Sequence, residues 1–298
     1  MLRGSQEDTT TLETLKLEIF HANNNYTMIS DSMNSRYRVD ISKLVSFYYG
    51  NWSAYANCMI ENGCNEAHVS SNVRTALVDF HSRCNGDKWR IRWDLKDGDP
   101  CVNKWFGVHC NTKGKVIGLH FFENALNCTS LPETFKYLTD LKFLIIANGE
   151  LEFEHFNNPN RNILQFYPFS EISTLVNLEE LTLHHLNMSG SISSGGEGSE
   201  TTLTKLTKLK FLNLAYNQLT GYLEQTPYWR NMTALEIVEL QNNGLSGEFP
   251  LDLSLANMPN LQYVNIANNS FEGATPLFVN CPRLEGLEFS QNQFNTWP

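Results

Sequence analysis

Four segments near the end of this chain repeat one pattern of apolar and polar positions. They begin at Leu209, Leu235, Leu261 and Leu284, at intervals of 26, 26 and 23 residues. Each segment has apolar residues at its first, fourth and sixth positions and Asn at its ninth. Such a unit, a short strand followed by a return segment, cannot bury its apolar face alone. The pattern therefore predicts turns that stack into a solenoid with an extended concave surface.

The register continues toward the start of the chain with less regular spacing. Earlier turns begin at Val116, Leu141 and Leu178, and the intervals between 116, 141, 178 and 209 are 25, 37 and 31 residues. The two long intervals predict insertions around Glu154–Tyr167 and in the Gly/Ser-rich stretch Ser191–Glu200, which belong in loops. Period and pattern together are those of a leucine-rich repeat, with about seven turns in this chain.

The ninth position of each turn carries a predicted structural role. An Asn amide there satisfies buried backbone groups where the strand bends away. Leu186 and Gly149 take this place in the turns that begin at 178 and 141, next to the two insertions. The remaining turns have Asn at the ninth position, namely Asn124, Asn217, Asn243, Asn269 and Asn292.

The second half of each repeat and the segment before the first turn resemble a known family. The sequences LSGEFP, LTGYL and FEGATP resemble plant-type extracellular leucine-rich repeats. The segment RTALVDFHSRCNGDKWRIRWDLKDGDPCVNKWFGVHC resembles the amino-terminal cap of that family, so the likeness covers about Val73 to Pro298. It implies an α/β solenoid with a right-handed superhelical twist, a disulfide between Cys101 and Cys110, and Trp105 packed over the first turn.

The expected domain order is an extension, a cap and a repeat array. Residues 1–72 form an extension of unknown fold, 73–115 the cap and 116–298 the repeats. The sequence stops within a turn, without a terminal cap. Either the chain is a fragment, or another element covers the last turn. Head-to-tail association, with the extension of one copy on the last turn of the next, would build a filament.

Seven cysteines indicate the compartment. Six lie toward the start of the chain and favour disulfides in an oxidising environment, namely Cys58, Cys64, Cys84, Cys101, Cys110 and Cys128. Pairing of Cys84 with Cys58, Cys64 or Cys128 is open. Cys281 occupies a position that is apolar in other turns and is expected to be buried. The alternative is a reduced cytosolic protein.

Six Asn-X-Ser/Thr acceptors are compatible with a secreted glycoprotein: Asn25, Asn51, Asn127, Asn187, Asn231 and Asn268. Because Asn, Ser and Thr are abundant, chance alone would give about five such motifs. The cysteines therefore carry the argument for an extracellular or cell-surface location.

Charge and motifs exclude several function classes. With 22 Lys and Arg against 32 Asp and Glu, the net charge is −10, which disfavours a nucleic-acid partner. The longest apolar stretch, Leu141–Ala147, is far shorter than the roughly 18 residues of a membrane helix. The polar start lacks a signal peptide. No catalytic motif is present, so we expect no enzyme and no cofactor.

Two segments resemble metal sites only superficially. His184 and His185 are adjacent in a predicted strand, where neighbours point to opposite sides, and no further ligand has suitable spacing. The acidic loop Leu95–Pro100 lacks the spaced oxygen ligands of a calcium loop. We therefore expect no metal.

The candidate binding surface is the concave face. Phe143, Phe211 and Tyr263 share the third strand position, and His185 and Tyr216 share the eighth. Such a stripe is a common recognition feature, although shielding of the strand backbone is the simpler interpretation of these rings. We predict a non-enzymatic module that binds a protein, peptide or glycan. The alternatives are a structural subunit that self-associates and a cytosolic scaffold.

Overall fold

The computed structural model describes residues 68–96, 98–148, 159–165, 169–192, 202–223, 229–250, 258–278 and 280–296. The extension up to residue 67, with Cys58, Cys64, Asn25 and Asn51, lies outside the described residues, as do most of the two predicted insertions.

The described residues form fifteen strands and a few short helices. In chain order, the strands are β1 Val108–Cys110, β2 Val116–Phe122, β3 Asn127–Cys128, β4 Phe143–Ala147, β5 Ile163–Leu164, β6 Glu180–His184, β7 Ser189–Ser191, β8 Phe211–Asn213, β9 Gln218–Tyr222, β10 Ile237–Glu239, β11 Gly244–Glu248, β12 Tyr263–Asn265, β13 Ser270–Ala274, β14 Gly286–Glu288 and β15 Gln293–Thr296. The helices are α1 Ser71–Arg83 and α2 Phe169–Ile172, with 3-10 segments at Gly86–Lys88, Glu133–Tyr137, Thr202–Lys205 and Trp229–Asn231.

Within the described residues, the strands form two long sheets and one short one. The main sheet has the order β1-β2-β4-β6-β8-β10-β12-β14, in which β1 is antiparallel to β2 and the other neighbours are parallel. A second, parallel sheet has the order β15-β13-β11-β9-β7, and β3 pairs with β5. This order, in which every second strand of the array joins the same sheet, is that of a leucine-rich-repeat solenoid and confirms that part of the predicted fold class.

The apolar positions of the repeat fill the space between the two sheets. In the turn that begins at Leu235, the inward residues Leu235, Val238 and Leu240 are all fully buried. Their equivalents in the turns on either side are buried too, so each turn contributes one layer to a continuous core. Burying each such side chain stabilises the fold by roughly 1.5–3 kcal/mol.

The Asn ladder has the predicted role. Asn217 Oδ1 accepts hydrogen bonds from the amides of Leu186 (3.0 Å) and Met188 (3.1 Å) in the preceding turn. Its Nδ2 donates to the carbonyl oxygens of Leu183, Leu214 and Ala215. Further along the array, Asn243, Asn269 and Asn292 make equivalent bonds.

Asn162 fills the ladder position of the turn that begins at Leu141. Its Oδ1 accepts from the amides of Asn124 and Leu126, both at 3.0 Å, and its Nδ2 donates to two carbonyl oxygens. Gly149 and Tyr167, which the sequence pattern assigned to the ladder and to the end of the insertion, lie outside the described residues. The repeat resumes at Asn162, because a long insertion between the eighth and ninth positions leaves the hydrogen-bond pattern intact.

Helix α1 closes the start of the core. It begins after Ser70, whose hydroxyl accepts from the Val73 amide, and it buries Ala76, Leu77 and Phe80. The aromatic rings of the cap continue this layer. Trp105 is buried and stacks on Trp93, another ring of the cap, with ring centroids 4.8 Å apart.

Two disulfides fasten the cap. One joins Cys101 and Cys110, the pair that the resemblance implies. The other joins Cys84, the C-cap residue that follows α1, to Cys128 on β3. The Cys84 carbonyl also accepts from the Asn127 amide (3.1 Å), so the end of the helix is tied to the first turn by covalent and hydrogen bonds. Among the described cysteines, Cys281 is free and buried, as expected.

Candidate functional site

The parallel register of the main sheet places equivalent residues of successive turns side by side. At the third position, the row across the sheet runs Gly118, Phe143, Glu180, Phe211, Ile237, Tyr263 and Gly286. Phe143, Phe211, Ile237 and Tyr263 are partly exposed, whereas Glu180 is buried. The structure thus brings Phe211, Ile237 and Tyr263 together in neighbouring strands and sets Phe143 apart from them.

Two of the predicted aromatic residues cover glycines of the adjacent strand. A Cβ atom on Gly118 would lie 1.7 Å from the Phe143 ring, and one on Gly286 would lie 2.5 Å from the Tyr263 ring. Both rings therefore shield strand backbone, as the simpler interpretation holds, while keeping part of their surface exposed. Phe211 lies between Glu180 and Ile237 and has no glycine beside it.

The fifth position supplies a polar row next to the apolar one. Asn213 donates to Glu239 across neighbouring strands, and Asn265 Nδ2 donates to the Tyr263 hydroxyl at 3.3 Å. Glu288 accepts from the Ser290 amide at 2.9 Å. The alternation of amides and carboxylates at this position, Asn213, Glu239, Asn265 and Glu288, is visible in the sequence of the repeat.

The pKa of Tyr263 reflects the burial and the negative charge of this region. Its pKa is raised to about 12, first because the phenol is removed from water and then because Glu239 and, more weakly, Glu288 disfavour a phenolate. Both carboxylates therefore act on the same ring. The hydroxyl stays protonated at physiological pH and remains a hydrogen-bond donor.

His184, His185 and Tyr216 form a separate cluster beyond the strand ends. The His184 ring centroid lies 5.2 Å from that of Tyr216 and 6.0 Å from that of His185. His185 and Tyr216 have φ angles of 58° and 57°, and this left-handed backbone breaks strand alternation. The expectation that His184 and His185 point to opposite sides is therefore wrong. His185 is buried, whereas Tyr216 is partly exposed.

Burial dominates the chemistry of His184. Its Nδ1 lies 3.1 Å from the Asn148 carbonyl oxygen. Its pKa is lowered to about 4, mainly by burial, with a small opposing effect of that hydrogen bond. The described residues contain no group of three or more His, Cys, Asp or Glu side chains that could hold a metal ion.

A second histidine pair, His109 and His120, lies at the start of the sheet. Their ring centroids are 6.3 Å apart, and His109 is 5.5 Å from Phe143. Burial lowers the pKa of His109 to about 3 and that of His120 to about 4. Sequence reasoning did not single out these residues, although His120 occupies the fifth position of the first turn.

Backbone amides on either side of the acidic cap loop bind its carboxylate Asp99. Asp99 Oδ1 accepts from the amides of Cys101 and Val102, and Oδ2 accepts from the Val69 amide at 2.6 Å. This carboxylate therefore ties Val69, which precedes α1, to the residues that follow the loop.

The described glycosylation acceptors lie on the surface. Asn127, Asn187, Asn231 and Asn268 are all exposed. Asn268 Nδ2 donates to Asn242, and Asn187 Oδ1 accepts from Gln218. Their exposure makes all four accessible to modification.

Comparison with known proteins relates the fold to plant receptors. No family model and no curated protein matches the sequence. The structure is similar to the crystal structure of a pollen receptor kinase 3, with a TM-score of 0.55, 25% identity, and coverage of 72% of this chain and 94% of that chain. It is also similar in fold to the crystal structure of a plant ice-binding protein, with a TM-score of 0.53, 22% identity, and coverage of 77% and 73%.

The solenoid with two parallel sheets defines the chain as a leucine-rich-repeat protein. The disulfide-bonded cap and the likeness to the pollen receptor kinase structure make it one of plant-type extracellular design. In the part of the chain that the structure describes, no helix has the length and apolar character needed to cross a membrane.

Proposed function

We propose that this chain is a non-enzymatic recognition module of the extracellular space or cell surface, and that it binds a protein, peptide or glycan on its concave face. The observation that carries the proposal is the row of partly exposed apolar side chains Phe211, Ile237 and Tyr263 on three neighbouring strands. A rigid sheet that presents such a row is a prepared contact surface, because little conformational entropy is lost on binding.

Three further features support the proposal. Two disulfides in the cap fit an oxidising compartment. The described sequons are exposed. The similar structure at 25% identity is named as a receptor kinase. The array is expected to complete a right-handed superhelix of about seven turns, whose curvature frames the concave face.

The experiment selects binders from a random peptide library and a glycan array with the folded chain. Binders are then tested against Phe211→Ala and against Tyr222→Ala, which removes an exposed ring from the second sheet. We expect Phe211→Ala to weaken binding at least about tenfold and Tyr222→Ala to leave it unchanged. Selection of no binder, or equal effects of the two substitutions, would overturn the proposal.

A second candidate function is that of a structural subunit in a head-to-tail assembly. Leu284, Leu287 and Phe289 are partly exposed, whereas their equivalents in the preceding turn are buried. Light scattering on the native protein tests this candidate. A polymer that Phe289→Glu dissolves would support it, and a monomer at all accessible concentrations would exclude it.

A further inference from the structure

The charge on the concave face has one sign. At the third, fifth and seventh positions of the described concave strands there is no Lys or Arg, whereas Glu180, Glu239 and Glu288 lie there. Glu180 is buried, and the other two carboxylates are partly exposed. An exposed sheet face of this kind favours a positively charged partner, since opposite charges steer association and fix the register of binding.

The two exposed carboxylates flank an aromatic ring. Glu239 lies on β10, Glu288 lies on β14, and Tyr263 lies on β12 between them. The Tyr263 ring is held against Gly286, so it has a fixed position in the sheet. An aromatic ring between carboxylates suits an arginine or lysine side chain, because the cation gains from the ring face and from both charges.

The apolar row completes the recognition surface. Ile237 and Phe211 lie in the same lateral row as Tyr263, one and two strands away from it, respectively. An apolar ligand side chain would therefore contact this row while a neighbouring cationic side chain lies at Tyr263. Gln241 Oε1, two residues beyond Glu239, is buried and has no hydrogen-bond partner among the described residues. Rotation of the Gln241 side-chain amide would make Oε1 available to accept a hydrogen bond from a bound ligand. This favours a ligand group that carries several hydrogen-bond donors.

We infer that the concave face around Tyr263 binds an extended peptide segment in which an arginine or lysine adjoins an apolar side chain. This inference rests on the proposed function and narrows its ligand class from protein, peptide or glycan to a cationic peptide. The negative charge explains the preference for a cation, and the row of Phe211 and Ile237 explains the apolar neighbour.

The experiment measures binding of three capped probe peptides by calorimetry or NMR titration at low salt. The first is acetyl-Leu-Arg-Leu-amide. In the second, citrulline replaces arginine, which keeps the shape and removes the charge. In the third, glutamate replaces arginine. We expect the arginine peptide to bind at least about tenfold more tightly than the citrulline peptide, and the glutamate peptide most weakly. Added salt should reduce the difference.

Matched variants locate the effect. Glu239→Gln should weaken binding of the arginine peptide about tenfold and leave binding of the citrulline peptide unchanged. Glu272→Gln removes the same charge from the exposed surface of the second sheet and should change the affinity for neither peptide. Gly286→Ala displaces the Tyr263 ring and should weaken binding of the arginine peptide. Gly118→Ala displaces Phe143 and should leave that binding unchanged.

The outcomes separate this inference from the function on which it rests. Equal affinity for the arginine and citrulline peptides, equal effects of the two Glu→Gln variants, or no binding up to about 1 mM would overturn the cationic ligand. If Phe211→Ala still weakened the binders selected from the libraries in that case, the proposed recognition function would stand. If it did not, the recognition function and the cationic-ligand inference would both fail.

Discussion

Replacement of Asn217 by Ala tests the central structural claim, that the ladder asparagines hold neighbouring turns together. The substitution removes the acceptor of two buried backbone amides, those of Leu186 and Met188. An unsatisfied buried donor costs about 1–3 kcal/mol. The Leu214 carbonyl, in contrast, keeps a second donor in Asn243 Nδ2, at 3.0 Å. The expected loss is therefore set by the two amides, about 2–6 kcal/mol in the free energy of unfolding.

Two measurements check this magnitude. Urea unfolding followed by circular dichroism gives the global loss. Amide hydrogen exchange gives the local one, which matters because repeat arrays do not always unfold in a single step. Protection should fall at the Leu186 and Met188 amides first. It should persist at the Leu245 amide, which donates to Asn269 in a later turn.

The controls separate the ladder from a general sensitivity to Asn substitution. Asn260, a partly exposed residue, donates to the Thr233 carbonyl oxygen and accepts from Arg283 at the surface, and because water can replace both bonds, Asn260→Ala should cost less than about 0.5 kcal/mol. Asn217→Asp keeps the acceptor but places a carboxylate beside three carbonyl oxygens, so it should destabilise as well. A loss below about 0.5 kcal/mol for Asn217→Ala, or unchanged exchange at Leu186 and Met188, would refute the reasoning.

Two further predictions concern the cap and the buried histidines. Cys128→Ser opens a disulfide with a sequence separation of 44 and should lower the free energy of unfolding by about 4 kcal/mol. Cys110→Ser opens a disulfide with a separation of 9 and should lower it by about 2.5 kcal/mol. Urea unfolding without reductant ranks the two variants, and the opposite order would contradict the loop-entropy argument. Burial holds the pKa of His184 at about 4, below its ordinary value of 6.5, so between these values the unfolded chain binds a proton that the folded chain does not, and stability falls as pH falls through this window. His184→Asn, which keeps an N–H donor on the side chain, should reduce the loss of stability in this window without abolishing it, because His109 and His120 also have lowered pKa values.

The fold was predictable because its determinants recur in the sequence. Leu235, Val238 and Leu240 repeat in every later turn, and each copy meets the same physical requirement, burial against the turns on either side. A local pattern of this kind fixes strand, register and neighbour at once. The cap disulfide of Cys101 followed from the family resemblance, and the partner of Cys84 did not, because three cysteines were available to it.

Errors arose where a single interaction decides the structure. Asn162 lies far from its turn along the chain, and its role becomes visible only when its hydrogen bonds to Asn124 and Leu126 are seen. His185 looked like an exposed strand residue, because alternation assumes an extended backbone. Its positive φ directs the His185 ring toward a buried cluster of rings. The spacing of residues in the sequence does not predict this change of direction.

The candidate site was less predictable from the sequence, because the repeat pattern does not fix the residue types at its positions. Inward residues such as Val264 are fixed by packing, whereas the flanking outward residues of the same strand, Tyr263 and Asn265, contribute little to the core. These outward positions are therefore where a solenoid acquires specificity. In this chain they bring Glu239 and Glu288 to the strands on either side of Tyr263, whose pKa is raised first by burial of the phenol and then by these carboxylates. A cationic side chain that contacts the ring would be attracted by both carboxylates. Substitution of these outward residues would therefore change the ligand preference of the solenoid, while the inward packing of residues such as Val264 stays intact.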